Sequence, residues 1–197
     1  MTTLLEIKPE YRGALEAAKL ADFDSMLRAP AAGPPASRHT HRETVPLEIV
    51  VDGASRRFFL KRVFKVPPRH AIWPFFRLRR GISQPRHEWN MLGQLAECSI
   101  PAAKRVAYGE RSILGVPVQA FLLVEALPFE HTLEDWLVSA RSGLEGLTIA
   151  NRRRLIYQLG TYILAVQSGG IRGSCSWPDI HLKHIFAGDY RDDDGNR

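Results

Sequence analysis

The sequence predicts an α+β protein in two lobes, an antiparallel sheet with one intervening helix followed by a helical part. Three observations carry this. Apolar, β-rich runs at Leu47–Val51 and Arg57–Val63 flank Asp52-Gly53, a dipeptide that closes tight hairpins. A second strand pair, "KRVAYGE" and "VPVQAFLLVEAL", follows with a Gly-containing turn between its members. The helix "PRHEWNMLGQLAECSIP" lies between the two pairs, and a long helix within "LTIANRRRLIYQLGTYILAVQSGGI" comes after them.

In chain order, residues 10–28 read as one helical segment, with Leu15, Ala18, Leu20 and Phe23 roughly periodic. Arg28 to Arg42 is rich in Pro, Ala and Ser and reads as a loop. The hairpin follows. Residues 65–85 contain Pro67, Pro68, Pro74 and Pro85 and read as irregular. Pro85 then suits an early helical position, Trp89, Leu92 and Leu95 form an apolar stripe, and Pro101 ends the helix. "HTLEDWLVSA" reads as a short helix capped by Thr132, with Asp135 completing a T-x-x-D box. Gly169-Gly170 stops the long helix, and "CSWPDIHLKHIFAGDYRDDDGNR" reads as a loop, a short strand and a polar tail.

The 197 residues carry a net charge of +6, which reads either as solubility with scattered surface arginine or as a sign of anionic partners: nucleic acid, phosphates or a membrane surface. Arginines cluster at Pro74–Arg80, interleaved with aromatic residues, and at Asn151–Leu155. No helix-turn-helix, zinc-finger or RNA-recognition signature accompanies them, so specific nucleic-acid readout is not expected. Cys98 and Cys175 make neither a disulfide framework nor a zinc site. No apolar run approaches the roughly 20 residues needed to span a bilayer. The N-terminus has no apolar core followed by a small-residue cleavage site. A reduced, cytoplasmic setting is expected.

Three ionisable residues stand out by their order. Lys61 ends an apolar strand in "FFLKR", Glu88 lies on the next helix, and Asp179 follows the long helix in "WPDIHLKHIF". Singly, each has an ordinary reading: a strand-alternating surface lysine, a solvated helix carboxylate, a turn aspartate after proline. Together, a strand Lys, a helix Glu, an edge strand, a long helix and then a loop Asp are the order of parts in a protein-kinase-like phosphotransferase. Phosphoryl transfer needs a fixed cation on the nucleotide phosphates (Lys61), a carboxylate to orient that cation (Glu88), and a carboxylate near the acceptor hydroxyl (Asp179). A metal-side ligand usually stands five residues after that Asp. Here the position is His184.

At these residues the chain resembles the lipopolysaccharide core kinase family, the Kdo/heptose kinases with a protein-kinase-like fold. The matching stretches are "FFLKR", "RHEWNMLGQLAECSIPAAKRVAYGE", "FLLVEAL", "TLEDWL" and "WPDIHLKHIF", over roughly residues 45–190. The resemblance implies a nucleotide-binding N-lobe at 1–126 and a partial, incomplete helical C-lobe at 127–197. It implies ATP and Mg²⁺ as cofactors, Lys61 and Glu88 at the nucleotide phosphates, Glu125 to Leu127 as the hinge meeting adenine, Asp179 as catalytic base and His184 near the metal. The acceptor it implies is a sugar hydroxyl of the lipopolysaccharide inner core or a similar glycolipid, phosphorylated in the cytoplasm with possible peripheral association at the inner membrane face.

Two departures qualify the match. No G-x-G-x-x-G loop precedes Lys61, so the phosphate cover is expected to be nonstandard. No apolar strand ending in a metal-binding Asp follows the catalytic loop, and Asp192, Asp193 and Asp194 read as a turn. The resemblance therefore implies a kinase that is C-terminally truncated as it stands. A pseudokinase-like module that binds nucleotide or a partner without turnover is the alternative. An unrelated nucleic-acid-binding protein rests on charge alone.

Overall fold

A computed structural model of the chain describes residues 1–65, 83–128, 132–134 and 148–168. The chain divides into two compact units, Met1–Ala126 and Leu127–Arg197.

The first unit is built on a six-stranded sheet in which every neighbouring pair is antiparallel. Its elements are β1 (Thr2–Ile7), α1 (Pro9–Ala17), α2 (Phe23–Arg28), β2 (Ser37–His39), β3 (Arg42–Val51), β4 (Ala54–Val63), α3 (Gln84–Glu97), β5 (Arg105–Ile113) and β6 (Val116–Glu125). The strand order across the sheet is β1-β5-β6-β4-β3-β2. Asp52 and Gly53 both take left-handed φ values, 52° and 79°. They close the β3–β4 hairpin in the geometry whose twist matches that of its strands. Leu114 and Gly115 do the same for β5–β6, at 50° and 78°.

Two expectations are corrected here. The segment 10–28 is two helices, not one. Lys19 turns left-handed (φ 58°), the chain closes on α1 through Leu20 N–H to Leu15 O at 2.8 Å, and Asp22 starts a new helix. Its carboxylate accepts from the amides of Asp24 (3.0 Å) and Ser25 (2.9 Å), which satisfies two otherwise orphaned donors. The sheet is also wider than the four strands read from the sequence. β1 adds one edge on β5, and β2, inside the expected loop, adds the other on β3.

One sheet face is the main core. Val45, Leu47, Ile49 and Val51 of β3, Phe58 and Leu60 of β4, and Phe121 and Leu123 of β6 pack with Tyr11 and Leu15 of α1 and Phe23, Met26 and Leu27 of α2. Each fully buried large apolar side chain contributes about 1.5–3 kcal/mol.

The other face carries α3. A single cross-strand row runs Ser37–Thr44–Lys61–Leu122–Tyr108–Glu6 over all six strands. Directly opposed residues share a face, so all six stand on the same side. Trp89 of α3 fastens the helix to one end of this row. Its ring stacks on Tyr108 with centroids 5.8 Å apart, and its Nε1–H donates to Glu6 Oε2 at 3.2 Å. Arg105 lies over the indole, 4.8 Å from the ring centre, and donates to Trp89 O at 3.2 Å.

The start of α3 is also tied to the sheet. Ser83 is the N-cap, its Oγ accepting from Arg86 N–H at 3.3 Å and donating to Glu110 Oε2 of β5 at 2.5 Å. Pro85 sits in the first turn as expected, and Ser99 (φ 54°) ends the helix before Pro101.

The second unit contains α4 (Ile149–Ser168), the expected long helix, whose Thr148 hydroxyl accepts from Asn151 N–H at 3.2 Å. Ile156, Tyr157 and Leu164 are exposed on it. Most of the short helix expected at 131–140 and all of the stretch from Gly169 onward lie outside the described residues, as does most of the segment 65–85 expected to be irregular.

Candidate functional site

Strand alternation decides where each side chain of "FFLKR" goes. Phe58, Leu60 and Arg62 point to the α1/α2 face and are buried, while Phe59, Lys61 and Val63 take the α3 face. Trp89 fixes α3, and Glu88 precedes it. The result is an ion pair in which Lys61 Nζ meets Glu88 Oε1. Its side chains remain 38% and 24% exposed, so the pair is open to a ligand.

The pair lines a shallow cavity of about 160 Å³. Thr44 stands directly across from Lys61 on β3, and Ser37 directly across from Thr44 on β2. Arg42 and Gln84 close the rim, with Arg42 Nη1–H donating to Gln84 Oε1 at 2.8 Å. Glu43 also borders the cavity, but its carboxylate is engaged by Arg62 at 2.5 Å and Arg38 at 3.6 Å. On the Lys61 face two cations, Arg42 and Lys61, thus stand with one carboxylate, Glu88, at the cavity, while Arg62 and Glu43 pair on the opposite face. The arrangement suits an anion. It does not suit Mg²⁺, a hard cation that needs several free oxygens, because both carboxylates are already neutralised by basic groups. Among the described residues no cluster of three His, Cys, Asp or Glu side chains could hold a metal.

The structure brings Lys61 and Glu88 together and places Glu125 elsewhere. Glu125 ends β6 opposite Phe58, with its side chain on the α1/α2 face. There Tyr11 Oη–H donates to Glu125 Oε2 at 2.6 Å, and Arg56 Nη1–H donates to Oε1 at 3.4 Å. Burial, and then this bond, push the Tyr11 phenol well above its ordinary pKa. Only the Glu125 backbone is left for a ligand on the Lys61 face, and its amide already donates to Lys104 O at 3.0 Å. Ala126 N–H donates to Arg57 O at 2.9 Å, so the next amide along the chain is that of half-buried Leu127. Asp179 and His184 lie outside the described residues.

Sequence reasoning did not single out Arg42, Ser83 or Glu110. Arg42 belongs to a stretch read as loop, and its position depends on the β2–β3 pairing. Glu110 looks like a solvent-facing member of an alternating strand, yet it is 5% exposed.

An antiparallel sheet with a strand lysine paired to a carboxylate on the helix that follows is the arrangement protein kinases have in their N-lobe. The model of the lipopolysaccharide kinase (Kdo/WaaP) family matches residues 36–195, most of the sequence, and the chain belongs to that family. No curated protein matches the chain significantly. A solved structure described as WaaP in complex with acyl carrier protein is similar at 24% sequence identity and a TM-score of 0.42, over 72% of this chain and 47% of that one. The chain thus spans about half the length of that solved protein. Among the described residues, no helix is long and apolar enough to cross a membrane.

Proposed function

We propose that this chain carries the nucleotide site of an ATP-dependent kinase that phosphorylates a sugar hydroxyl of the lipopolysaccharide inner core or a similar glycolipid. The observation that carries this reading is the Lys61–Glu88 ion pair at an anion-suited cavity under the sheet, in a chain of a lipopolysaccharide kinase family. ATP supplies the phosphoryl group when bound. Lys61 holds its phosphates, and Glu88 keeps the ammonium from turning back to solvent. The backbone from Glu125 to Leu127 meets the base edge-on. Asp179 takes the proton of the acceptor hydroxyl, and His184 stands on the metal side. Mg²⁺ would be met by His184, outside the described residues, and would neutralise charge on the phosphates. A basic protein working on a lipid-linked anionic acceptor is expected in the cytoplasm, peripheral to the inner face of the inner membrane.

ATP binding tests the reading directly. A ligand at a hundred times its Kd stabilises the folded state by about 2.7 kcal/mol, so ATP is expected to raise the melting temperature of the chain. Lys61→Ala is expected to abolish that shift. In a phosphotransfer assay with a lipopolysaccharide-core acceptor, using a version extended by a complete C-terminal lobe, Asp179→Asn is expected to lower kcat with ATP affinity unchanged. An undiminished ATP shift in Lys61→Ala would remove Lys61 from the site, and near-normal turnover in Asp179→Asn would remove Asp179 from the role of base.

A further inference from the structure

We propose that Arg42 is a second phosphate-binding cation of this cavity, supplied by the β2–β3 hairpin in the place where protein kinases use a glycine-rich loop. The inference rests on the reading of Lys61 as a phosphate ligand and adds a residue to it.

Thr44 is directly opposite Lys61, and Arg42 lies two residues along on the same face of β3. A diagonal neighbour of this kind stands about 7–8 Å away, within reach of a long side chain. A nucleotide phosphate held by Lys61 is therefore also within reach of Arg42.

His39 pairs with Arg42, so the turn is the two residues Thr40-His41. Neither is glycine, and neither has the left-handed φ seen at Asp52, Gly53, Leu114 and Gly115. Backbone amides converge into an anion-holding concavity when residues alternate right- and left-handed conformations, and this turn has no such alternation. If phosphate is covered here, side chains do it.

Glu88 is taken by Lys61, and Glu43 by Arg62 and Arg38. Arg62 is further committed to the carbonyls of Leu27 and Ala29. Among the described residues Arg42 bonds only the neutral amide of Gln84, at 2.8 Å, and its side chain is exposed. Among the described residues it is the cation lining the cavity that no carboxylate pairs with. Gln84, in the first turn of α3, holds the guanidinium at the rim, which reduces the ordering cost of binding. A planar guanidinium can then take two phosphate oxygens at once.

The ligand class is a nucleoside di- or triphosphate, and the phosphates rather than the nucleoside are what Arg42 recognises. Calorimetric titration of the full chain with ATP, ADP and adenosine tests this. Arg42→Ala is expected to weaken ATP and ADP by about tenfold or more and to leave adenosine unchanged. Arg42→Lys, which keeps the charge without the fork, should fall between. Gln84→Leu, which leaves Arg42 in place but untethered, should cost less than Arg42→Ala. Should Arg42→Ala melt below wild type, Arg42→Gln carries the comparison. If Arg42→Ala and Arg42→Gln bind ATP as wild type does while Lys61→Ala does not, this inference is wrong and the site stands. If wild type does not bind ATP, or Lys61→Ala binds it undiminished as well, both fall.

Discussion

The hydroxyl of Tyr11 and the carboxylate of Glu125 are joined by a 2.6 Å hydrogen bond across 114 residues of sequence. The bond ties α1 to the last residue of β6, immediately before the chain leaves the first unit at Ala126. Together with the β1–β5 pairing, it holds the N-terminal segment to the sheet. The N-terminal segment closes the apolar face and clamps the strand end where the proposed hinge begins.

Tyr11→Phe is expected to lower stability by about 1–2 kcal/mol, since a bond to a charged acceptor is lost while Arg56 still partners Glu125. It should also change the alkaline limb of the stability curve. The Tyr11 phenol is raised in the folded state by burial and by Glu125, and the Tyr108 phenol by burial and by Glu110. A raised pKa stabilises the fold fully below the unfolded phenol value, about 10. That stability is lost as pH rises further, because the unfolded chain releases a proton that the folded one keeps. Urea titrations between pH 8 and 11 should show stability falling above pH 10. The slope should be shallower in Tyr11→Phe and persist in part through Tyr108. An unchanged slope would mean that the Tyr11 hydroxyl is not held as described.

Two glycines give a second test, because both sites are crowded but by different groups. A Cβ on Gly109 would lie 2.3 Å from Phe121 Cε1 and 2.8 Å from Phe23 Cδ2, both in the core. Rings packed at that density have nowhere to go, so Gly109→Ala should cost about 1–3 kcal/mol. A Cβ on Gly93 would lie 2.3 Å from Arg105 Nη1, the far end of a flexible side chain. Arg105 can swing away, losing its bond to Trp89 O and its place over the indole, roughly 1–2 kcal/mol. Alanine in a helix interior returns about 1 kcal/mol relative to glycine. Gly93→Ala should therefore stay within about 1 kcal/mol of wild type. Chemical denaturation midpoints separate the two cases, and equal costs would show that the Arg105 contact is as rigid as the ring contact.

What could be read from the sequence followed the strength of the local signals. The β3–β4 hairpin was legible because Asp52-Gly53 marks its turn, and α3 because Pro85, Trp89, Leu92 and Leu95 state its start and its face. Lys61 and Glu88 were legible because the hairpin and the helix were. The N-terminal pattern was harder. Leu15, Ala18, Leu20 and Phe23 keep a helical period straight across a break made by Lys19 and Asp22, so two helices looked like one. β1 is an edge strand with one face open, and its Leu4 and Leu5 carry too little alternation to announce it. β2 is three polar residues that form a strand only because β3 offers an edge. Arg42 was invisible for the same reason: its importance lies in a pairing register, and no property of "RHTHR" records one.

A third prediction concerns how α3 is held. Ser83→Ala removes the N-cap acceptor for Arg86 N–H and the donor to Glu110. Loss of a cap costs about 1 kcal/mol, and leaving a buried carboxylate with one fewer partner adds about 1–3 kcal/mol. Glu88 sits five residues after Ser83, so a loosened helix start should also loosen Lys61. The expected outcome is a lower melting temperature together with a few-fold weaker ATP affinity, rescued by Ser83→Thr. A Ser83→Ala protein that is less stable but binds ATP with wild-type affinity would show that Trp89 alone positions Glu88.

The last prediction is set by the residue beside Lys61. Alternation that turns Lys61 toward the cavity turns Arg62 into the core, where its side chain is 7% exposed. Its Nη1 donates to Leu27 O at 2.9 Å and Ala29 O at 2.7 Å, and its Nη2 meets Glu43 at 2.5 Å. One guanidinium thus closes the end of α2 against the sheet and neutralises a nearly buried carboxylate. Removing one partner of a buried pair leaves an uncompensated charge, and Arg62→Met should cost about 3–5 kcal/mol. Lysine at this position keeps the charge but not the fork, and it cannot serve Glu43 and two carbonyls in one geometry, so Arg62→Lys should recover only part of the loss. Adding Glu43→Gln to Arg62→Met removes the orphaned carboxylate but not the orphaned carbonyls of Leu27 and Ala29, which at about 1–3 kcal/mol each keep the double variant well below wild type. Unfolding free energies of the two single variants and the double variant give the coupling directly. Full recovery in the double variant would show that the charge alone mattered and that water reaches the end of α2.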